Sequence, residues 1–287
     1  MTSPAPQGLC WLCDNPDTAP DPRVGVTGFW RCASCGFLFQ PSRASAAEEE
    51  RRYREGYFEE YANPDGELGQ YDAPAAQRAF EGDVRVRFVT RWTRAGSLLE
   101  VGAASGHFVE AARRRGFDAS GIEPSARMVS SAAARDVPVA PLTLREAASL
   151  GAMYDVVCAW HVVEHLPEPL GALEDMWRLV VPGGWLFLEL PNADSVQARR
   201  KGPTWPPLEP QNHVAHYGPA SLRAALVRSG FQDIGVSTVS FREYREDPRM
   251  RVVHRAYDAT VLRTPGATHA TRHELLRVVA RRAAEPR

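Results

Sequence analysis

Three groups of residues in this chain have the types and spacing to do chemistry. Four of the five cysteines form two C-x-x-C pairs, Cys10 with Cys13 and Cys32 with Cys35, and eighteen residues separate the pairs. This is the spacing of a four-thiolate zinc site. Each C-x-x-C turn points two sulfurs the same way, and two turns complete a tetrahedron. Four thiolates leave no open position for water, so a zinc here is structural. The second group reads HVVEH over residues 161–165, with His213 and His216 later in the chain. On a helical turn His161, Glu164 and His165 share one face. The third group is Glu100, Gly102, Ala104 and Gly106, within EVGAASG. Glu123 follows twenty-three residues after Glu100, where a carboxylate can accept both hydroxyls of a ribose.

The histidine group admits three readings. One of His161, His165, His213 and His216 acts as a general base, with Glu164 orienting it. Alternatively Glu164, His165 and a downstream histidine bind a divalent metal. In the third reading HVVEH caps the next helix and braces the loop, and Pro167 and Glu168 suit a helix start.

The elements that must position these groups are legible as alternating strands and helices. Residues 24–31 read as a strand feeding the second cysteine pair. Residues 41–61 and 74–93 read as helices, the first with Tyr53, Tyr57, Phe58 and Tyr61 at helical spacing. From residue 97 the chain reads as strands at 97–104, 117–125, 137–140, 154–160 and 185–191. Helices at 107–115, 126–135 and 168–181 lie between them, the last ended by Pro182-Gly183-Gly184. The unbroken run YDVVCAW suits a strand buried on both faces, with Cys158 as a core thiol. A long polar connection over 192–218, carrying Trp205 and Tyr217, precedes a helix at 219–229 and a strand at 231–241. A further strand near 252–262 and an Arg-rich helical tail end the reading. Repeated β-α units imply an α/β fold with a mostly parallel sheet and helices on both faces. Such sheets take ligands outside the carboxyl ends of their strands. The first turn there lacks the G-x-G-x-x-G of a dinucleotide fold and the Gly-Lys-Ser/Thr of an ATP loop.

LLEVGAASGHF, GIEPS, DVVCAWHVVEHL and LVVPGGWLFLELPN, in this order, resemble the motifs of class I S-adenosylmethionine (SAM)-dependent methyltransferases. The resemblance covers residues 97–241, about half the chain. The cysteine pairs, the Tyr-rich helix and QNHVAHYGPASL resemble a subgroup that carries a zinc ribbon and often acts on sugars or other natural-product intermediates. It implies a Rossmann-like, seven-stranded, mostly parallel sheet, with SAM and a structural Zn²⁺ as cofactors. Gly102, Ala104 and Gly106 would approach the cofactor's methionine portion, and the family usually has glycine at the Ala104 position. Glu100 would face its amino group and Glu123 its ribose. Leu142 is the candidate adenine contact, at a place where the family often has an acid. His161 would line the methionine or reaction side. Tyr71, in a segment that folds over the cofactor in related enzymes, joins the histidines as a candidate catalytic residue. The implied organisation is a zinc ribbon over 1–45, a helical lid or linker over 46–95, a methyltransferase domain over 96–264 and the tail over 265–287.

A formal net charge of -1 and the lack of aromatic-basic interleaving around the cysteines argue against a nucleic-acid partner, and the arginine richness, with Lys201 the one lysine, reads as codon bias. No stretch is apolar enough to span a membrane, and the first residues lack the pattern of a secretory signal. The expected setting is cytoplasmic and reducing, which favours metal over disulfides at the paired cysteines. The expected activity is methyl transfer to a small-molecule acceptor in specialised metabolism, such as a nucleotide-linked sugar. Methylation of rRNA or tRNA is the alternative enzyme reading, and a non-catalytic scaffold on the same fold is the alternative outside enzymology.

Overall fold

The computed structural model describes residues 8–25, 27–41, 44–55, 75–244 and 270–284. Tyr57, Phe58, Tyr61, Tyr71 and the strand expected near 252–262 lie outside them. Three short strands come first: β1 (Thr18–Pro20), β2 (Trp30–Cys32) and β3 (Leu38–Phe39). Two helices follow, α1 (Ala46–Glu55) and α2 (Ala75–Val89). The alternating body runs β4 (Ser97–Val101), α3 (His107–Arg114), β5 (Asp118–Ile122), α4 (Ala126–Ala133), β6 (Val139–Ala140), α5 (Leu144–Ser149), β7 (Tyr154–Trp160), α6 (Pro169–Leu179) and β8 (Val180–Pro191). It ends with α7 (Val196–Lys201), β9 (Ala215–His216), α8 (Pro219–Arg228), β10 (Phe231–Val239) and β11 (Leu275–Arg282). Among the described residues no helix is long and apolar enough to cross a membrane.

The large sheet has seven strands in the order β10-β11-β8-β7-β4-β5-β6. Strands β4 to β8 pair in parallel, and β11 is antiparallel to both neighbours. The mostly parallel α/β sheet expected from the sequence is therefore present. Side-chain alternation splits each strand between two cores. Leu99, Val157 and Leu188 face α6 and α8 residues such as Leu173, Met176 and Leu222. Leu98, Val156, Cys158 and Phe187 face Val86, Phe88, Phe108 and Ala112 from α2 and α3. Helices cover both faces, which is why these strands read as unbroken apolar runs.

The small sheet has the order β1-β2-β3-β9. Its last strand comes from the long connection after β8, with Leu38 opposite His216 and Phe39 opposite Ala215. Cys10, Leu12, Phe37 and Phe39 share one hydrophobic cluster with the large sheet's strands. The α8 residue Arg228 also donates to the Leu12 carbonyl and pairs with Asp14 at 2.9 Å. The cysteines thus pack into the core of the large sheet, while Val24, Phe29 and Leu38 form a second cluster with Ala193, Ala198, Trp205 and Leu208.

Several expectations need correction. The strand expected over 24–31 is only β2, because Val24, Gly25 and Thr27 lie in bends and a turn and Gly25 and Gly28 are left-handed. Helix α6 stops at Leu179, and Pro182-Gly183-Gly184 lie inside β8. Helix α5 went unread although Thr143 and Glu146 form a complete capping box. The largest difference is the Arg-rich tail: its described part is strand β11, between β8 and β10, and not a helix. Its arginines are absorbed by groups far away in sequence. Arg277 Nε donates to Glu189 at 2.6 Å. Arg281 donates to the Gly183 carbonyl at 3.0 Å and lies over Trp185. Arg282 donates to the carbonyls of Trp177 and Val180.

The Arg277–Glu189 pair is buried on both sides, with side-chain exposures of 7% and 0%. Removing one partner of such a pair strands the other charge. Arg277→Met is expected to cost roughly 3 kcal/mol of stability, seen as a melting temperature lower by roughly 6–12 °C. Unchanged melting would show that the pair contributes nothing.

Candidate functional site

The carboxyl ends of β4, β5 and β7 open into a cavity of about 1160 Å³. The loop after β4 forms part of its wall. Gly102 and Gly106 are left-handed, at φ +67° and +79°. A Cβ on Gly102 would stand 2.7 Å from Val162, and one on Gly106 2.7 Å from Val137. Only glycine fits either place. Gly102 lines the cavity and Gly106 does not; it precedes α3 as the N-cap residue. Ala104 lines the cavity too, at φ +44°. The backbone here favours glycine, the residue the family usually has, so the alanine is held under strain.

Glu123, at the end of β5, is buried, with Oε2 accepting from the Ala104 N–H and Oε1 from the Ser125 N–H, both at 3.0 Å. Burial raises its pKa, and the two N–H donors oppose that. Each oxygen keeps a further lone pair. Glu100, on β4, is buried at 5% exposure, and its Oε2 has no hydrogen-bond partner. Burial pushes its pKa well up, while Arg85 on α2 pulls it down. Leu142 lines the same cavity.

His161 follows β7 with a left-handed φ of +57°. Its N–H donates to the Glu189 carbonyl at 2.7 Å. Its ring lies between two buried carboxylates, Nδ1 at 3.3 Å from Glu164 and Nε2 at 3.5 Å from Glu189. Burial disfavours the charged ring, but these carboxylates outweigh it and raise the pKa to about 9. At neutral pH His161 is therefore a cation and not a ready base. A 3₁₀ turn, Val163–His165, carries the other two members of the group. The next helix takes no side-chain cap, and its N-cap residue is Glu168. The bracing part of the third reading does have a counterpart, because the Glu164 carbonyl accepts from the Val214 N–H at 3.0 Å. This joins the turn to the segment leading into β9.

His165 and His213 line the cavity, with ring centroids 4.6 Å apart. Burial, followed by the neighbouring His213, lowers His165 to about 3. His216 does not reach the cavity. It is 1% exposed, packs against Phe29 and Trp205, and its Nε2 faces the Leu208 carbonyl at 3.0 Å. Trp205 and Tyr217 are also core residues away from the cavity. Gln197, Lys201, Pro206, Pro207 and Glu209 supply the connection's lining instead. Tyr71 lies outside the described residues.

The sequence reading missed Arg85 and Tyr244, both of which line the cavity. Arg85 Nε is 3.5 Å from Glu189, and the Tyr244 hydroxyl donates to the same carboxylate. Neither residue sits in a motif. Their common feature is convergence on Glu189, which only the fold creates.

The cysteine quartet is compact. Cys10 and Cys35 sulfurs are 3.5 Å apart, as are those of Cys13 and Cys32, and all four lie within 4.8 Å. These separations exclude disulfides. They bracket the edge of about 3.8 Å expected of a tetrahedron with bonds of about 2.3 Å. The four residues can hold a metal ion.

Residues 72–236, more than half of the chain, match the family described as methyltransferase domain. The chain belongs to this family. A ubiquinone biosynthesis O-methyltransferase from Leptothrix cholodnii is 35% identical to this methyltransferase over 103 residues, 33% of this chain and 44% of that protein. The match spans less than half of that relative's length. In fold, the methyltransferase is similar to a SAM-dependent methyltransferase from Thermotoga maritima, at 17% identity and a TM-score of 0.54, covering 75% of this chain and 95% of that one. A SAM-dependent methyltransferase from Archaeoglobus fulgidus is similar at 18% identity and a TM-score of 0.53, covering 71% and 94%.

The strained Ala104 gives a direct test of the loop. Ala104→Gly removes the left-handed penalty and adds back some unfolded-chain freedom. The expected net effect is a gain of about 0.5–1 kcal/mol, measured by urea unfolding. A loss of stability would show that the methyl group packs usefully.

Proposed function

We propose that this protein transfers a methyl group from SAM to a small-molecule acceptor, a sugar or another natural-product intermediate. The observation that carries the reading is the convergence of Glu100, Ala104, Glu123 and Leu142 with His161, His165 and His213 on one cavity. When bound, SAM supplies an electrophilic methyl group on a sulfonium. Glu123 is suited to the ribose hydroxyls through its remaining lone pairs. Glu100 is suited to the amino group, and its unpartnered oxygen supports that. Arg85 is the cation close enough to influence Glu100 and suits the methionine carboxylate. Gly102 and Ala104 bring backbone to the cofactor, and Gly106 shapes the loop from behind. Leu142 offers an apolar edge to the adenine. His161, Lys201 and His213 remain for the acceptor; Glu164 and Glu189 already balance the charge on His161, so Lys201 is the lining cation offered to an acceptor with anionic character, as in a nucleotide-linked sugar. In-line transfer to a held acceptor draws most of its advantage from positioning.

The cysteine quartet serves as a structural zinc site. Its sulfurs lie within 4.8 Å of one another, close enough to share one ion, and its residues belong to or pack against the same core as the large sheet. Arg31 and Arg23 pair with the buried Asp21 beside it, which keeps the small sheet's turn closed.

Two measurements test these assignments. Wild-type protein is expected to bind S-adenosylhomocysteine in calorimetry with a micromolar Kd. Glu123→Gln should weaken that binding by roughly 10–100-fold, the loss of charge-assisted hydrogen bonds. Equal affinity in both proteins would remove Glu123 from the cofactor site. For the zinc, Cys32→Ser should release the ion that survives dialysis of the wild type and lower the melting temperature, because metal binding contributes folding energy. Elemental analysis that finds no cysteine-dependent zinc would refute the assignment.

A further inference from the structure

The residue before β11 has a place that topology decides. Strand β11 runs antiparallel to β8, with Leu275 opposite Pro191. Its start therefore lies at the carboxyl edge of the parallel strands, where the cavity opens, and Glu274 lines that cavity. The backbone there is fixed from β8 and α7. The Asn192 N–H donates to the Glu274 carbonyl at 2.8 Å, and the Val196 N–H to the Thr271 carbonyl at 2.9 Å. The Asn192 side chain, itself fully buried, donates to the carbonyls of Ala270 and His273. A side chain carried by so constrained a segment is held in position.

Glu274 is 4% exposed. Its Oε1 has one long contact, with Gln197 Nε2 at 3.4 Å. Among the described residues its Oε2 is buried without a hydrogen-bond partner. Glu189 and Glu123, buried to a similar degree, each accept two hydrogen bonds. A buried acid left short of donors is costly, and a bound molecule that supplies them offsets the cost.

The setting of Glu274 selects the donor. Gln197 and Lys201 stand four residues apart on α7, which places them on one helix face, and both line the cavity. A carboxylate takes only donors, an ammonium takes only acceptors, and an amide takes either. Hydroxyls both donate and accept, so hydroxyls on neighbouring carbons match this set. An amine would suit Glu274 but meet the charge of Lys201. Pro191 and Phe241 add apolar surface to the same cavity. The cofactor-suited carboxylates belong to β4 and β5, and β8 and β7 stand between them and β11. Three strand spacings, roughly 14 Å, separate β11 from β4.

We propose that Glu274, with Gln197 and Lys201, anchors the acceptor by neighbouring hydroxyl groups of a sugar ring. Glu274 accepts from one hydroxyl, the Gln197 amide meets the next, and Lys201 takes an anionic substituent such as a linked phosphate. Glu274 is thus a specificity-determining residue that fixes how the acceptor lies without meeting the cofactor. That the bound sugar is the methyl acceptor rests on the methyl-transfer reading.

The test is calorimetry of the full-length protein, with and without S-adenosylhomocysteine, using uridine diphosphate glucose and uridine diphosphate as probes. The wild type is expected to bind the sugar-bearing probe at least about tenfold more tightly than uridine diphosphate. Glu274→Gln should weaken the sugar-bearing probe at least about tenfold and leave uridine diphosphate and S-adenosylhomocysteine within about twofold. Gln197→Ala, at a half-buried position, should weaken the sugar-bearing probe about threefold or more. Without ligand, Glu274→Gln is expected to melt at or above the wild-type temperature, because it removes an uncompensated buried charge. Lower melting would make Glu274 a structural residue and overturn the proposal. So would equal affinity of the wild type for the two probes, or no binding of uridine diphosphate glucose. An affinity for that probe that neither variant changes would overturn it too. Failure of the sugar titration with S-adenosylhomocysteine still bound removes the subsite and leaves the methyl-transfer reading standing. Sugar binding without S-adenosylhomocysteine binding does the reverse.

Discussion

The charge of Glu189 organises the catalytic end of this molecule. Its carboxylate is fully buried on β8, inside an otherwise apolar sheet. A charge in that place must be matched from all sides. Arg277 arrives from β11, Tyr244 from the turn after β10, Arg85 from α2 and His161 from the loop after β7. Four separate elements are thereby tied to one point. Two of these partners, Arg85 and Tyr244, also face the cavity with His161. The compensation of one buried acid and the electrostatic character of the site are one problem with one solution.

A second tie joins the cysteine region to the same site. Strand β3 pairs with β9, and the segment entering β9 carries His213 and bonds to Glu164. Gln40 extends the contact through its N–H to the Val214 carbonyl at 3.1 Å. The cysteine quartet therefore stands behind one wall of the cavity. A mechanical buttress is a sufficient reason for a small cysteine module at this distance from the chemistry.

Much of this was legible in the sequence, for reasons that differ by residue. The runs SLLEV and DVVCAW announce buried strands because nothing polar interrupts them. The cysteines announce a cluster because two C-x-x-C turns at that spacing have few other uses. Glu100 and Glu123 could be placed because strands end where ligands bind. Strand β11 could not be read, because Arg277, Arg281 and Arg282 look solvated until their partners are known. Those partners lie 88 to 105 residues earlier. Arg85 and Tyr244 were illegible for the same reason. His216 was misleading in the opposite sense: it shares a short motif with His213, but alternation in the β9 segment turns it into the core.

Strand β11 has a consequence for how the chain assembles. It follows every other described element, yet it fills an interior place between β8 and β10. During synthesis the sheet must wait for it. Until residues 275–282 emerge, β8 and β10 present unpaired edges, which invite contact with other chains. Over the same interval the acid on β8 lacks its nearest counter-ion, Arg277. The nascent protein holds the parallel strands of its sheet before it holds this ion network, and β11, the last of the described strands, completes the network.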